Sequence, residues 1–166
     1  MADEMERGAL LAADEMGEEV RVQRKEAKNA TVDDVLGASG FLFCAPENLA
    51  TVSGEMKEFF DRSYYDAFST TATSNKQEEY SEESRLAGRP FGLAIAAGSD
   101  GTGAARQVER ICKGWRLRPV ADTLIFQNGL TQTKENILAP KGPLPETTVD
   151  ACAEIGGRVS ATLLLR

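Results

Sequence analysis

The spacing of apolar residues along the chain predicts helices at both ends and three more between them. In residues 2–16, Met5 and Ala9 begin a series of apolar positions at helical spacing, and Gly17 ends it. Thr31, followed by an acid three residues later, resembles a capping box that opens a short helix. The predicted helices cover residues 2–16, 31–36, 53–65, 104–115 and 145–165.

Runs of apolar residues that show no alternation predict strands buried on both faces. Two such runs are Phe41–Ala45, which Pro46 is expected to end, and Phe91–Ala97. Around Val20 and Val22 the apolar residues alternate with charged ones, which is typical of a half-buried strand at the edge of a sheet. The four predicted strands are Glu19–Gln23, Phe41–Ala45, Phe91–Ala97 and Pro119–Gln127.

Helices and strands alternate along residues 1–166, which predicts a single α/β domain with a doubly wound parallel sheet. Two stretches, Ser69–Ser84 and Asn128–Pro143, carry no regular pattern and are expected to be irregular. Ligands of such sheets bind in the crevice beyond the carboxyl ends of the strands. Two loops are expected there, Pro46–Gly54 and Gly98–Gly103.

The first loop sets a few polar groups among apolar side chains. Asn48, Thr51 and Ser53, together with the main chain, offer donors and acceptors that suit a planar, amphipathic heterocycle with carbonyl and ring-nitrogen edges. The alternative is an ordinary strand-to-helix turn in which Ser53 caps the helix and Pro46 ends the strand. The spacing alone leaves both interpretations open.

The second loop has three glycines in six residues, Gly98, Gly101 and Gly103. Glycine allows a main chain to approach a ligand closely, and the start of the following helix favours negative charge. The pattern is neither the GxGxxG of dinucleotide folds nor a P-loop, and a tight turn is an equally good explanation. Asp100 suggests a carboxylate catalyst or, more simply, a solvated side chain.

Composition and charge exclude several functional classes. The 166 residues include no histidine, which excludes Ser-His-Asp and Cys-His catalysis and histidine metal ligation. The formal net charge of −7, without a basic stripe, argues against a nucleic-acid partner. The three cysteines form no CxxC pair and indicate a reducing compartment. No apolar run is long enough to span a membrane and the first residues are acidic, so we expect a cytoplasmic protein without a membrane partner.

The cysteines are expected to be structural. Cys112 and Cys152 fall on the apolar sides of predicted helices and are expected to fill the core. Cys44 lies at a strand end near the crevice, where reactivity is an alternative, but no basic residue beside it in the sequence lowers its pKa.

Three segments carry a pattern that resembles a known family. They read F-L-F-C-A-P-E-N from Phe41, S-G-x-x-K-x-F-x-D-R from Ser53 and A-A-G-S-D-G-T-G from Ala96. Together they look like the flavodoxin-like family, nearest to its NAD(P)H-dependent FMN reductase and quinone reductase branches. The resemblance implies a five-stranded parallel sheet and bound FMN, with the flavin carrying the hydride and electron chemistry itself. The residues that it implies for cofactor binding are Pro46, Glu47, Asn48, Leu49, Thr51, Ser53, Gly54, Gly98, Ser99, Asp100, Gly101 and Gly103.

The chain departs from the family pattern at its start. Members of the family begin with a strand and a Ser/Thr-rich loop that wraps the FMN phosphate, whereas Met1 here falls at about the start of the first helix. With that strand absent, we expect a gap of roughly 9–10 Å between Glu19–Gln23 and Phe41–Ala45, unless the edge strand moves over and pairs directly. Losing two charge-assisted bonds to phosphate weakens FMN binding by about 3–6 kcal/mol. We expect the missing strand and loop to be encoded upstream of Met1.

Two functions from different classes follow. The first is an FMN-dependent oxidoreductase or electron-transfer protein, which is either a reductase using NAD(P)H or a carrier whose acidic surface steers partners. Its electron acceptor is a small molecule or a protein, and a homo-oligomer is an alternative to the monomer. The second is a non-enzymatic interaction module of flavodoxin-like type that no longer holds flavin. A phospho-receiver domain fits poorly, because Pro46, Glu47 and Asn48 stand where its phosphoacceptor aspartate would be.

Overall fold

The computed structural model of the chain describes residues 1–70, 80–131, 133–139 and 142–165. Its α-helices in these residues are Ala2–Glu15 (α1), Val32–Gly37 (α2), Gly54–Ser63 (α3), Thr102–Gly114 (α4), Lys134–Leu138 (α5) and Glu146–Leu164 (α6). Its strands there are Phe41–Asn48 (β1), Thr51–Val52 (β2), Phe68–Thr70 (β3), Tyr80–Ser84 (β4), Pro90–Ala97 (β5), Arg118–Pro119 (β6) and Leu124–Gln127 (β7). All five predicted helices are present, and α5 is an additional short one.

The central sheet is built on β1 and β5, which run parallel and pair from Phe41 with Phe91 to Pro46 with Ala96. The other side of β5 pairs in parallel with β6 near its start and with β7 near its end. These two short strands replace the single strand expected over Pro119–Gln127, since residues 120–123 form no strand. The expected α/β class with a mainly parallel sheet is confirmed.

Helices cover both faces of the sheet. On one face, Leu42 and Cys44 of β1 pack against a small core that contains Met5 of α1 and Ile155 of α6. The other face carries the larger core, which α3 and α4 close. Its aromatic centre consists of Phe41, Phe43, Phe59, Phe60, Tyr64 and Trp115. The sheet is therefore doubly wound, as expected.

Helices α1 and α6 meet main chain to main chain. A Cβ atom added to Gly8 would overlap the carbonyl oxygen of Ala153, and one added to Gly156 would overlap that of Met5. This close approach explains why α1 carries mostly small residues on its inner side: Ala9 and Ala13 are among its buried residues. Two helices that touch in this way tolerate no larger side chain at the crossing.

The prediction of an edge strand over Glu19–Gln23 is wrong, because the segment pairs with no described strand. Val20 and Val22 are half-buried between exposed neighbours, so the alternation in the sequence does reflect one inward side. The segment has no described strand beside it. A β-strand is defined by main-chain hydrogen bonds to a neighbouring strand, and alternation of apolar and polar residues alone does not supply them.

A groove of about 780 Å³ separates residues 20–25 from the outer edge of β1. It lies where the sequence led us to expect a gap, and the edge segment has not moved over to pair with β1. Two ion pairs connect the segment to the helices beside it. Arg24 pairs with Asp3 of α1, and the Nζ atom of Lys25 lies 3.4 Å from Oδ1 of Asp34 in α2.

Pro46 does not end β1, which continues to Asn48. The Pro46 carbonyl accepts a hydrogen bond from the main-chain N–H of Ser53 at 3.2 Å, on the side of β1 that faces away from β5. The missing N–H of Pro46 is on that same side, so no hydrogen bond to β5 is lost. A proline is tolerated in a strand at such a position.

Three smaller expectations also need correction. Ser53 precedes α3 but makes no side-chain capping bond, whereas the capping box at Thr31 is present. The ends of the stretch Ser69–Ser84 are not irregular, because β3 and β4 pair there as antiparallel strands, and its middle, 71–79, lies outside the described residues. Within Asn128–Pro143 the described part contains α5.

Candidate functional site

The first candidate loop is a tight β-hairpin. Asn48 of β1 pairs with Thr51 of β2, which leaves Leu49 and Ala50 as a two-residue turn. Their φ angles of 50° and 63° are the left-handed values of a type I′ turn. For residues other than glycine this conformation costs about 1–2 kcal/mol each. The Leu49 side chain is 87% exposed at the tip.

The second candidate loop is shaped by its packing against the protein itself. Gly101 has a φ of +85°, and a Cβ atom there would lie 2.5 Å from Cγ2 of Ile125. Both carboxylate oxygens of Asp100 accept a hydrogen bond from the Thr102 hydroxyl at 2.8 Å. The Asp100 carbonyl accepts another from Nε2 of Gln127 at 3.0 Å. Asp100 and Gly101 thus form the tight turn that starts α4.

The two loops touch each other. A Cβ atom on Gly103 would overlap the carbonyl oxygen of Ala50, so glycine is needed there for the hairpin turn to rest on α4. Next to this contact, Oε1 of Gln107 accepts a hydrogen bond from the main-chain N–H of Val52 at 3.1 Å. Both loops follow the carboxyl ends of paired strands and together form one continuous surface.

The twelve residues predicted for cofactor binding are not equally accessible on this surface. Glu47 and Gly101 are buried, so they support the loops from inside. The half-buried ones are Ser53, Gly98 and Gly103. The exposed ones are Pro46, Asn48, Leu49, Thr51, Gly54, Ser99 and Asp100. None of the twelve lines the groove beside β1.

The charge of the surface suits a neutral ring better than a phosphate. Neither loop contains a lysine or an arginine, and each contains one carboxylate, Glu47 and Asp100. The first turn of α1 also carries two acids, Asp3 and Glu4. Carboxylates already occupy the positive end of α1, which makes it a poor site for a second anion. The loops therefore fit a planar ring with uncharged polar edges.

Sequence reasoning missed two residues of this surface, Ala50 and Gln107. The dipeptide Leu49-Ala50 lacks the Asn-Gly or Asp-Gly signal of a type I′ turn, so the hairpin was not visible in the sequence. Gln107 meets Val52 only through tertiary folding, because 55 positions separate them. No local pattern could have indicated that bond.

The cysteines agree with a structural role. Burial raises the pKa of all three thiols. For Cys44 the positive amino terminus, a main-chain bond from Ala2 and Arg24 lower the pKa in part, but desolvation dominates. For Cys112 the charge of Glu109 adds to the rise. A raised pKa makes a thiol a weak nucleophile at neutral pH.

No group of three or more His, Cys, Asp or Glu side chains is placed to hold a metal ion within the described ranges. Among the helices of the described ranges, none is both long and apolar enough to cross a membrane.

A comparison with protein families matches residues 3–130 to the family described as NADPH-dependent FMN reductase. The chain belongs to this family. The match includes both candidate loops, β1, β5 and the groove between β1 and residues 20–25, and it agrees with the resemblance that the sequence motifs carry. A search of curated proteins finds no match.

Solved structures show that this member of the FMN reductase family has a flavodoxin-like fold. An oxidoreductase from Corynebacterium diphtheriae superposes with a TM-score of 0.66 at 15% identity, covering 99% of this chain and 87% of that one. A flavodoxin from the domain Archaea gives 0.61 at 9% identity, covering 98% and 90%. The Flv1 flavodiiron core from Synechocystis sp. PCC6803 gives 0.64 at 15% identity and 99% coverage, but this chain spans only 32% of its length.

Proposed function

We propose that the chain binds the ring of FMN on the surface formed by Pro46–Gly54 and Gly98–Gly103 and acts as an FMN-dependent oxidoreductase or electron-transfer protein. Membership of the FMN reductase family supports the cofactor. The observation that carries the proposal is the contact of Gly103 with Ala50, because it joins the two loops into one surface at the carboxyl ends of β1 and β5. Bound FMN supplies the hydride and electron chemistry.

The residues of the surface have distinct roles in this proposal. Leu49 packs its exposed side chain against the apolar part of the ring. Asn48, Thr51 and Ser99 present polar groups to its carbonyl and nitrogen edges. Asp100 holds the start of α4 in place through Thr102 and does not itself touch the reacting atoms. NAD(P)H is the proposed reductant, since the family name includes NADPH. A small molecule or a protein accepts the electrons.

Neither loop contains a lysine or an arginine, and this predicts how the affinities for FMN and riboflavin compare. A site that grips phosphate through two charge-assisted bonds gains about 3–6 kcal/mol from them. Such a site prefers FMN over riboflavin by on the order of a hundredfold or more. We expect this chain to bind FMN and riboflavin with dissociation constants within about tenfold of each other, measured by quenching of flavin fluorescence. A preference of a hundredfold or more for FMN would contradict a site that holds only the ring.

A pair of leucine variants tests the position of the ring. Leu49→Ala removes the exposed side chain at the hairpin tip and should weaken flavin binding by about tenfold, since a well-buried leucine contributes about 1.5–3 kcal/mol. Leu165→Ala is the matched control: Leu165 is 78% exposed and ends α6. Leu163, two residues earlier, lies near Gly40, which directly precedes β1. This is the end of β1 opposite the candidate loops. Equal effects of both substitutions would contradict the proposed surface.

A non-enzymatic module is the second candidate, favoured by the presence of two acids, Glu47 and Asp100, in loops that contain no lysine or arginine. It predicts that the purified chain stays colourless and binds neither flavin at concentrations up to about 0.1 mM. An assay of NADPH oxidation by the chain, with added FMN and a quinone, distinguishes a reductase from a carrier. A reductase oxidises NADPH under these conditions, whereas a carrier does not.

A further inference from the structure

Helix α4 presents a cationic face that the net charge of the chain does not indicate. Arg106, Arg110 and Lys113 are exposed and follow one another at helical spacing, so they lie along one side of the helix. Among the side chains that the structure describes, no carboxylate forms an ion pair with any of these three. The expectation of a chain without a basic stripe does not hold at this helix. The net charge of −7 still opposes a polyanion such as nucleic acid.

A pocket of about 710 Å³ opens beside the second half of this face. The residues that line it are Tyr64, Arg110, Ile111, Lys113 and Gly114. Its volume is in the range of small-molecule sites, about 300–1,000 Å³. None of the described residues that line it is acidic. The pocket therefore combines two positive charges with a small amount of apolar surface.

The ring of Tyr64 is fixed in the wall of this pocket. It stacks on Trp115 with 6.1 Å between the ring centroids, and the rings of Tyr65 and Phe68 lie 5.4 and 5.5 Å from it. Its hydroxyl lies against Gly114, where a Cβ atom would be only 2.1 Å from the oxygen. Among the described residues, Tyr64 makes hydrogen bonds only through its main chain. The hydroxyl is therefore a fixed donor that a ligand in the pocket can use.

The dipole of α4 opposes an anion at this end of the helix, but its effect is smaller than that of the two cations. The dipole is equivalent to about half a negative charge at the carboxyl end. The carbonyl oxygens of Ile111, Cys112 and Lys113 also accept main-chain hydrogen bonds from residues 115–117. Carbonyl groups that are capped in this way present less negative charge to the pocket. The net field in the pocket therefore favours an anion.

We propose that this pocket binds a small phosphate monoester that carries one planar apolar ring. The guanidinium of Arg110 offers parallel N–H donors to two phosphate oxygens, Lys113 supplies the second positive charge, and the Tyr64 hydroxyl donates to the third terminal oxygen. A phosphate monoester carries nearly two negative charges at neutral pH, which matches the two cations, whereas a carboxylate carries one. The ring of the ligand packs on Ile111 and Tyr64.

The pocket is separate from the proposed flavin surface. None of its lining residues belongs to Pro46–Gly54 or Gly98–Gly103. Arg110 follows Gly103 by seven residues, which corresponds to about 10 Å along the helix. Two side chains, Ile111 and Tyr64, supply its apolar surface, which is enough for one ring and not for the three fused rings of a flavin. The proposal therefore does not depend on flavin binding.

Phenyl phosphate is the probe, and its binding to the full chain is followed by ¹⁵N NMR. We expect a dissociation constant below about 1 mM, with the largest shifts at the amides of Tyr64 and Gly114. Inorganic phosphate should bind at least about fivefold more weakly, because it has no ring to pack on the apolar surface. The proposal is overturned if the Gly114 amide shows no saturable shift, or if shifts of equal size occur at exposed cations all over the surface.

Three variants separate the pocket from general charge attraction. Arg110→Gln should weaken phenyl phosphate binding by at least about tenfold, and Tyr64→Phe, which removes only the hydroxyl, by about fivefold. Arg118→Gln is the matched control, because Arg118 is exposed, has no described ion-pair partner and does not line the pocket. Its affinity should stay within about twofold of the parent. Equal losses in the two arginine variants would contradict the proposal, and this comparison decides if Tyr64→Phe does not fold.

Competition experiments identify the source of the phosphate. Riboflavin, which has no phosphate, should not displace phenyl phosphate, and displacement would contradict a pocket separate from the flavin. A phosphotyrosine peptide should bind no more than about tenfold more tightly than phenyl phosphate, since the pocket accounts for the phosphate and the ring alone. Tighter binding of the peptide would assign the site to a modified protein and overturn the proposal of a small molecule. Displacement by a short single-stranded DNA at equal phosphate concentration would likewise overturn it, because the face would then be a general polyanion surface.

Discussion

Gly103 is the residue on which the joining of the two candidate loops depends. Replacing it with alanine places a methyl group against the Ala50 carbonyl, a main-chain atom that has little room to move. We expect Gly103→Ala to destabilise the chain by about 1–3 kcal/mol, as overpacking does elsewhere, and to weaken flavin binding. Gly54→Ala is the control, since a Cβ there meets nothing within 4 Å and should be neutral or slightly stabilising. Urea unfolding of both variants checks this, and equal stabilities would show that the loops do not touch.

The burial of Cys112 predicts how the free energy of unfolding changes at high pH. The side chain is fully buried, and burial raises the pKa of its thiol. The unfolded chain releases this proton above about pH 8.5 while the folded chain keeps it. The contribution of this thiol to the free energy of unfolding therefore has its full value below that pH. Above it, the contribution falls by about 1.4 kcal/mol per pH unit.

Comparison with Cys112→Ala isolates this effect. The variant should be less stable at pH 7 because it leaves a cavity. The difference from the parent should shrink between pH 8.5 and 10, since the variant has no such proton to lose. Urea unfolding at several pH values measures it, and a difference that stays constant would mean that the thiol ionises equally in both states.

At the scale of elements, the crossing of α1 and α6 depends on glycine. Gly8→Ala places a methyl group against the Ala153 carbonyl and must separate the two helices. We expect a loss of about 3 kcal/mol or more, seen as a lower midpoint in thermal unfolding. Gly37→Ala, at the end of α2, has open space around its Cβ and should leave the midpoint unchanged or slightly raised. A Gly8→Ala variant as stable as the parent would contradict the crossing.

The elements that the sequence predicted well are those with local signals. The unbroken apolar run Phe91–Ala97 is a buried strand, Thr31 opens a helix through its capping box, and Pro145 precedes α6. The elements predicted wrongly depend on distant partners. Residues 19–23 have the alternation of a strand, but no described strand lies beside them to pair with. Leu49 and Ala50 are unfavourable residues for a left-handed turn, yet the turn forms and rests on Gly103. The loops were therefore located from the sequence, while the contact between them was not.

At the scale of the whole molecule, the two hydrophobic cores differ in composition and in their position relative to the sheet. The larger one, between the sheet and helices α3 and α4, gathers most of the aromatic rings. The smaller one, under α1 and α6, borders the groove and depends on close helix contact. The flavodoxin-like fold is a property of the whole arrangement, whereas the proposed flavin site involves only the loops at the carboxyl ends of β1 and β5.

Trp115 is the single tryptophan of the chain, and it lies in the larger core with its Nε1 donating to the Tyr64 carbonyl at 3.1 Å. Its emission therefore reports the integrity of one side of the sheet only. Loosening of α1 and α6 on the opposite side would leave that signal almost unchanged. A melting curve recorded by tryptophan fluorescence therefore follows the larger core, whereas far-ultraviolet circular dichroism senses all helices, so a separate loss of α1 and α6 would be seen as a difference between the two curves.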